Sequence, residues 1–281
     1  MAFKSILTVA TGPEGLAPVL RAASRLALAE DGHLDVLAIG VDAMQPALYG
    51  YGDSVAVMQI GLDNAREAAA ATEAAAKALL MQEDAALRWS VESGAAQYGT
   101  LRGLAAQRAR FSDLVVLARP YGTIHPQEAE AVLDAALFDA QAPVLILPPG
   151  FSRDQPYSRI VVAWNQSREA MAAVRRALPF LKAAGQVNVV VIDPPAHGAE
   201  RSDPGGMLCQ MLVRHGVHAE VSVLAKTEPR VADVLSRHIR DQAADLLVMG
   251  AYGHSRLREA ILGGATRHML ESATLPMLLA H

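Results

Sequence analysis

The chain reads as an α/β protein made of two tandem parallel-sheet domains, and three observations predict it. Short apolar runs alternate with helical patterns throughout the 281 residues, the order that βαβ units produce. The second half repeats the first. Asp113-Leu114-Val115-Val116 returns as Asp245-Leu246-Leu247-Val248, 132 residues on, and Ala142-Pro143-Val144-Leu145 as Leu275-Pro276-Met277-Leu278, 133 residues on. Lys4-Ser5-Ile6-Leu7-Thr8-Val9-Ala10 likewise lines up with Ser158-Arg159-Ile160-Val161-Val162-Ala163-Trp164. Such order and near-constant spacing mark a duplicated domain, too long to be a solenoid repeat. Between the copies, Pro148-Pro149-Gly150 through Pro156-Tyr157 cannot continue a sheet interior, so it is a linker. The expected domains are 1–150 and 151–281.

In the first copy, strands are expected near 4–10, 34–41, 87–92, 113–118 and 143–147, with an alanine-rich helix over Asp63 to Met81. The preceding segment, Gln45 to Asp53, reads as a loop. With Met44, Tyr49 and Met58 it suits a lid, a partner surface or a cover for the core. In the second copy the strands are Arg159–Trp164, Val187–Ile192, Ala219–Leu224, Asp245–Met249 and Pro276–Ala280. They lack polar alternation, as strands covered on both faces do. Ser167 caps a helix whose Met171, Val174, Leu178 and Leu181 form one stripe. Thr227-Glu228-Pro229 starts another, with Val231, Val234, Leu235 and Ile239 on one face.

Composition excludes several functions. A net charge of −4, a pI near 6.1 and no basic cluster with aromatics argue against nucleic-acid binding. Cys209 is the single cysteine, so neither an intrachain disulfide nor a cysteine-based zinc site forms. The first ten residues read as a strand rather than a signal peptide, and no apolar run reaches the ~18 residues of a membrane helix. The expected location is the cytoplasm, with no membrane contact.

The stretch from Met249 to Thr266 carries the chemistry. It follows a buried strand and leads to a last helix, with Ala265 and Met269 facing inward. Gly250 and Gly253 bring backbone N–H groups close to an anion. Gly263 and Gly264 open the helix, whose free N–H groups favour phosphate. His254, Arg256 and Arg258 add charge, or are an ordinary solvated helix face. The first copy has lost this loop: Ala118 and Tyr121 stand at the two glycine positions, and no glycine pair precedes Asp134. Gly12, Gly15 and Gly122 read as turn residues, so the first copy is expected to bind no nucleotide and to serve as a structural or partner half.

Gly250-x-x-Gly253, nine residues, then Gly263 resembles the phosphate motif of the universal stress protein family, here in tandem form. The chain departs from it at Gly264, where the family carries Ser or Thr; the backbone N–H and nearby Thr266 remain. Ala163-Trp164-Asn165-Gln166-Ser167 resembles the family's first-strand signature, with Asn165 in place of aspartate. Asn165 offers an oxygen and a donor to adenine or ribose, or caps a helix. Ile192 and Asp193 end the second strand, where the family lines its adenine pocket. The resemblance implies a doubly wound, adenine nucleotide alpha hydrolase-like fold with strand order 3-2-1-4-5. The crevice then opens where chain order reverses. It also implies ATP as ligand, with a divalent ion such as Mg accompanying it, and last strands that pair between the two copies.

The leading expectation is an adenine-nucleotide binder or sensor in stress response. No Walker loop, Gly-x-Ser-x-Gly elbow or paired metal-binding histidines occur, so the expectation includes no catalytic residue, no protein metal site and at most weak ATP hydrolysis. A second reading is an adaptor or homodimeric scaffold with an empty crevice. A third, an adenylating ligase, lacks that group's loops.

Overall fold

A computed structural model describes residues 3–42, 54–121, 126–194, 202–251 and 264–281. The chain falls into two compact units, 2–142 and 143–281. The expected linker lies inside the second of these, and so does the first copy's last strand.

In the first unit, β1 (Ser5–Ala10), β2 (His33–Asp42), β3 (Arg88–Gln97) and β4 (Leu114–Ala118) form a parallel array in the order β3-β2-β1-β4. The covering helices are α1 (Leu16–Ala29), α2 (Ser54–Leu80), α3 (Tyr98–Ala109) and α4 (Pro126–Asp134), the last continued by a π-turn over Ala135–Asp139. β1 and β4 are almost wholly buried, as parallel strands covered on both faces are. Helix α2 starts nine residues before the alanine-rich stretch that predicts it. Residues 54–62 carry β-branched side chains and Gly61, which weaken helix propensity. Tertiary packing overrides that, because a Cβ at Gly61 would lie 2.7 Å from Asp42 Oδ2. The missing side chain seats a buried carboxylate.

In the second unit, β5 (Val144–Leu147), β6 (Arg159–Ala163), β7 (Gln186–Ile192), β8 (Ala219–Leu224), β9 (Leu246–Gly250) and β10 (Met277–Ala280) are arranged β5-β10-β9-β6-β7-β8. Counted within the second copy this is 3-2-1-4-5, the doubly wound order. All neighbours run parallel except β5, which pairs antiparallel with β10 in the register Met277 to Ile146, Leu278 to Leu145 and Leu279 to Val144. That pairing groups β5 with the second unit. Edge strand β8 is half exposed, unlike the fully covered strand expected, because it has a neighbour on one side only.

Helices α5 (Arg168–Ala183), α6 (Gly206–Arg214), α7 (Val231–Asp241) and α8 (Ala265–Ser272) complete the unit. Ser167 caps α5, its Oγ accepting the Ala170 N–H at 3.1 Å. The buried face of α5 is Ala170, Ala173, Val174, Ala177, Phe180 and Leu181. Met171 and Leu178 are half-buried, so alanines rather than the larger residues set how closely α5 meets the sheet. Helix α7 begins at Val231 with Arg230 in the cap position, two residues after Pro229.

The repeated aspartates explain part of the duplication. Asp113 Oδ2 accepts the Lys4 and Ser5 N–H groups at 2.8 and 3.0 Å. Asp245 accepts from Ser158 and Arg159 N–H at 2.9 to 3.1 Å. Each carboxylate fixes the start of its copy's first strand against its fourth. Asp245 also binds Arg153 Nη2 at 2.8 Å. The Arg153 guanidinium lies 5.6 Å from the Tyr157 ring centre, and Tyr157 meets Phe180 edge-on at 5.4 Å. Burial pushes the Tyr157 hydroxyl well above its ordinary pKa. Polar pinning and aromatic packing thus hold the linker's end to the second unit.

Candidate functional site

The carboxyl ends of β7, β6 and β9 lie side by side, with Ala163 in register with Val190 on one side and Met249 on the other. Chain order reverses at β6, so this is the position where open parallel sheets take ligands. It brings together Ala163 at the end of β6 with Trp164 and Asn165 after it, Ile192 at the end of β7 with Asp193 after it, and Met249 and Gly250 at the end of β9. Gly264 and Ala265 begin α8. Gly253, His254, Arg256, Arg258 and Gly263 lie outside the described residues, as do Met44, the 45–53 loop and Gly122.

Several of these residues already have local duties. Asn165 Oδ1 accepts the Ser167 N–H at 3.1 Å, closing a turn that holds Gln166 at φ 63°. Asn165 is exposed, and its Nδ2 carries the remaining donors. Ser167 is the α5 cap. Trp164 is 6% exposed, and its indole N–H is buried with no hydrogen-bond partner among the described residues. Strand alternation places it on the face opposite Ala163, in the core rather than along the rim. Asp193 is exposed at φ 50°, with its N–H bound to Leu224 O at 2.8 Å. Buried Met249 lies in register with Leu279.

Gly250 departs from its expected role. Its φ is not in the left-handed region, so no sharp turn requires glycine. A Cβ there would lie 2.5 Å from Ala170 N and 2.6 Å from Glu169 C. The first turn of α5 sits directly on the end of β9, and only glycine leaves room for it. The next amide, Ala251 N–H, is bound to Ala280 O at 2.8 Å.

Gly264 is the N-cap of α8 at φ −61° and ψ 148°, with no side-chain cap. Its carbonyl accepts from His268 N–H at 3.2 Å and faces His268 Nδ1 at 3.1 Å. The inward residues of α8 are Thr266, Met269 and Leu270. Thr266 is 3% exposed, whereas Ala265, expected to face inward, is half-buried. The Thr266 hydroxyl is thus part of the helix's packing.

Residues 156–281 match the family model described as the Universal stress protein family. The second unit is a universal stress protein domain. A universal stress protein of Synechocystis, Slr1230, is 29% identical over 145 residues, covering 48% of this chain and 46% of that protein. The chain therefore spans about half the length of this curated relative. Among solved structures, a universal stress protein from Archaeoglobus fulgidus matches 99% of this chain and 97% of its own, with TM-score 0.65 and 14% identity. A functionally unknown protein from Pseudomonas aeruginosa matches 99% of this chain and 92% of its own, with TM-score 0.58 and 16% identity. At these identities the likeness is one of fold.

The universal stress protein domain also holds a buried polar group that its apolar pattern hides. Asn188, 3% exposed in β7, donates through Nδ2 to Glu220 Oε1 at 3.1 Å and to Ser222 Oγ at 2.9 Å. Its Oδ1 is then the acceptor for His238 Nε2 at 2.8 Å, which fixes the proton on that nitrogen. Burial pushes the His238 pKa down, opposed by the charges of Asp241 and Glu220. The one sequence signal was a lone amide between Val187 and Val189. Among the described residues no cluster of His, Cys, Asp or Glu could hold a metal, and no helix is long and apolar enough to cross a membrane.

Proposed function

We propose that the universal stress protein domain binds an adenine nucleotide, ATP by the family resemblance, across the carboxyl ends of β6, β7 and β9, and does not turn it over efficiently. The observation that carries this reading is the reversal of strand order at β6. It gathers Ala163 to Asn165, Ile192–Asp193 and Met249–Gly250 at one end of the sheet. The base would take the exposed Asn165 amide donors, and the phosphates the loop from Gly250 through Gly253, His254 and Gly263 to the uncapped start of α8 at Gly264, Ala265 and Thr266. A Mg ion would come with the nucleotide, since the described residues offer no metal cluster of their own. A cytoplasmic setting and a repeat boundary near residue 150 belong to the same proposal.

The test is calorimetric titration of the purified chain with ATP and Mg, with and without Gly264→Ser. The N-cap dihedrals of Gly264 suit serine, and the hydroxyl restores the residue that the family carries there. Saturable binding that Gly264→Ser tightens is the expected result. No binding at millimolar ATP in either protein rejects the proposal.

The scaffold reading draws on a different observation. The Asn165 oxygen and the Ala251 amide are already bonded within the protein, and β5 and β10 pair antiparallel. That pairing covers apolar edges that otherwise invite association, and it is the exchange that would make the two copies an internal pseudo-dimer. Nucleotide-independent binding of a partner protein or of a second chain is its expected signature.

A further inference from the structure

The two copies share a polar layer on one sheet face, and they differ in what fills the space above it. In the second copy Val161, Asn188 and Glu220 stand in register across β6, β7 and β8. His238, from the helix after the third strand, lowers its imidazole onto Asn188. In the first copy Leu7, Asp35 and Ser90 occupy the same register across β1, β2 and β3. The corresponding helix, α3, turns the small Ala105 and Ala106 inward and supplies no ring. A cavity of about 120 Å³ lies there, lined by Ser5, Leu7, Asp35, Leu37, Glu92 and Arg108 among others, with Phe111 also on its wall.

Its chemistry is one-sided. Ser90 Oγ donates to Asp35 Oδ1 at 2.5 Å, and His33 Nε2 is 3.5 Å from the same oxygen. Glu92 is paired with Arg108, so among the described residues His33, when protonated, is the one cation paired with Asp35. Leu7 and Leu37 provide an apolar surface. Phe111 is 78% exposed, a large aromatic turned to solvent beside the cavity. A carboxylate, an aromatic face and an apolar floor together fit a flat cation with N–H donors.

We propose that this cavity is a binding site for a small planar monocation of the guanidinium or imidazolium type. Asp35 accepts its N–H groups and Phe111 stacks on its face, so that the ligand occupies in the first copy the place that His238 fills in the second. The site is independent of the nucleotide reading, which concerns the other copy and the opposite end of the strands.

The probe is methylguanidinium chloride, followed by amide chemical shifts of the intact chain, with methylurea as the uncharged isostere and sodium chloride as the ionic-strength control. Saturable shifts in the millimolar range at Asp35, Ser90 and Phe111 are expected with methylguanidinium alone. Asp35→Asn installs the amide that the second copy carries in this register, so the fold should tolerate it, as circular dichroism will verify. It is expected to weaken binding at least tenfold, and Phe111→Ala severalfold. Non-saturable shifts, equal shifts with methylurea, or an Asp35→Asn protein that is folded and binds unchanged would each overturn the proposal.

Discussion

Replacing Gly250 by alanine separates a packing role from a ligand role for the first glycine of the loop. The added Cβ would stand 2.5 Å from Ala170 N, 2.6 Å from Glu169 C and 3.0 Å from Ala170 Cα. Comfortable carbon contacts begin near ~3.5 Å, so the overlap is about 1 Å and falls on backbone. No rotamer change relieves it; the first turn of α5 must move off β9 and loosen the Ser167 cap. Overpacking of this kind costs about 1–3 kcal/mol. With a urea m-value of about 2 kcal/mol/M, a loss of ~2 kcal/mol lowers the midpoint by about 1 M. Trp164 lies in the second unit and Trp89 in the first, so emission in a Trp89→Phe background reports the relevant unit. The measurement is made without nucleotide. An unchanged midpoint would refute the packing argument, and lost ATP binding at full stability would assign the glycine to the ligand instead.

The other predictions follow from the same geometry. Gly103→Ala in α3 meets nothing within 4 Å, so it should stabilise the first unit by ~0.5–1 kcal/mol through helix propensity and chain entropy, seen as a higher midpoint for Trp89 emission. Asp245→Ala removes the acceptor of two strand-start amides and the ion pair of Arg153, which keeps its bonds to Gln155 O and Pro156 O, and should cost about 1–3 kcal/mol. Asp113→Ala, which strands two amides alone, should cost less in the same denaturation assay. Burial lowers the His238 pKa in the folded chain, so the unfolded state binds its proton more readily. Its contribution is therefore complete above the ordinary histidine pKa of ~6.5 and is lost as pH falls through the depressed folded value. Urea midpoints at neutral and acidic pH should show His238→Gln losing part of the wild-type acid sensitivity, and an identical pH slope in both proteins would rule this out.

The legible parts of the chain are those where one local rule acts alone. β1, β6, β7 and β10 were readable because fully covered parallel strands must be continuously apolar, and α5 because Ser167 is a good cap before an amphipathic run. The early start of α2 was not readable, since Gly61 speaks against a helix until Asp42 is seen beside it. The candidate site was legible as a set of strand ends but not in its individual roles. A sequence shows Gly250 as permissive and leaves Asn165 open between ligand and cap, yet partners distant or local had already claimed the space beside one and the oxygen of the other.

By itself, then, the amino-acid order determined the duplication, the α/β class and the asymmetry between a copy with a glycine loop and one without. These are encoded in periodicity and spacing, which act along the chain. Tertiary structure alone decided the antiparallel register in which β5 meets β10, that α5 sits on Gly250 and that an imidazole fills a space in one copy where the other keeps a cavity. Each of these depends on which distant atoms compete for the same volume or the same hydrogen bond, and that competition exists only once the chain has closed on itself.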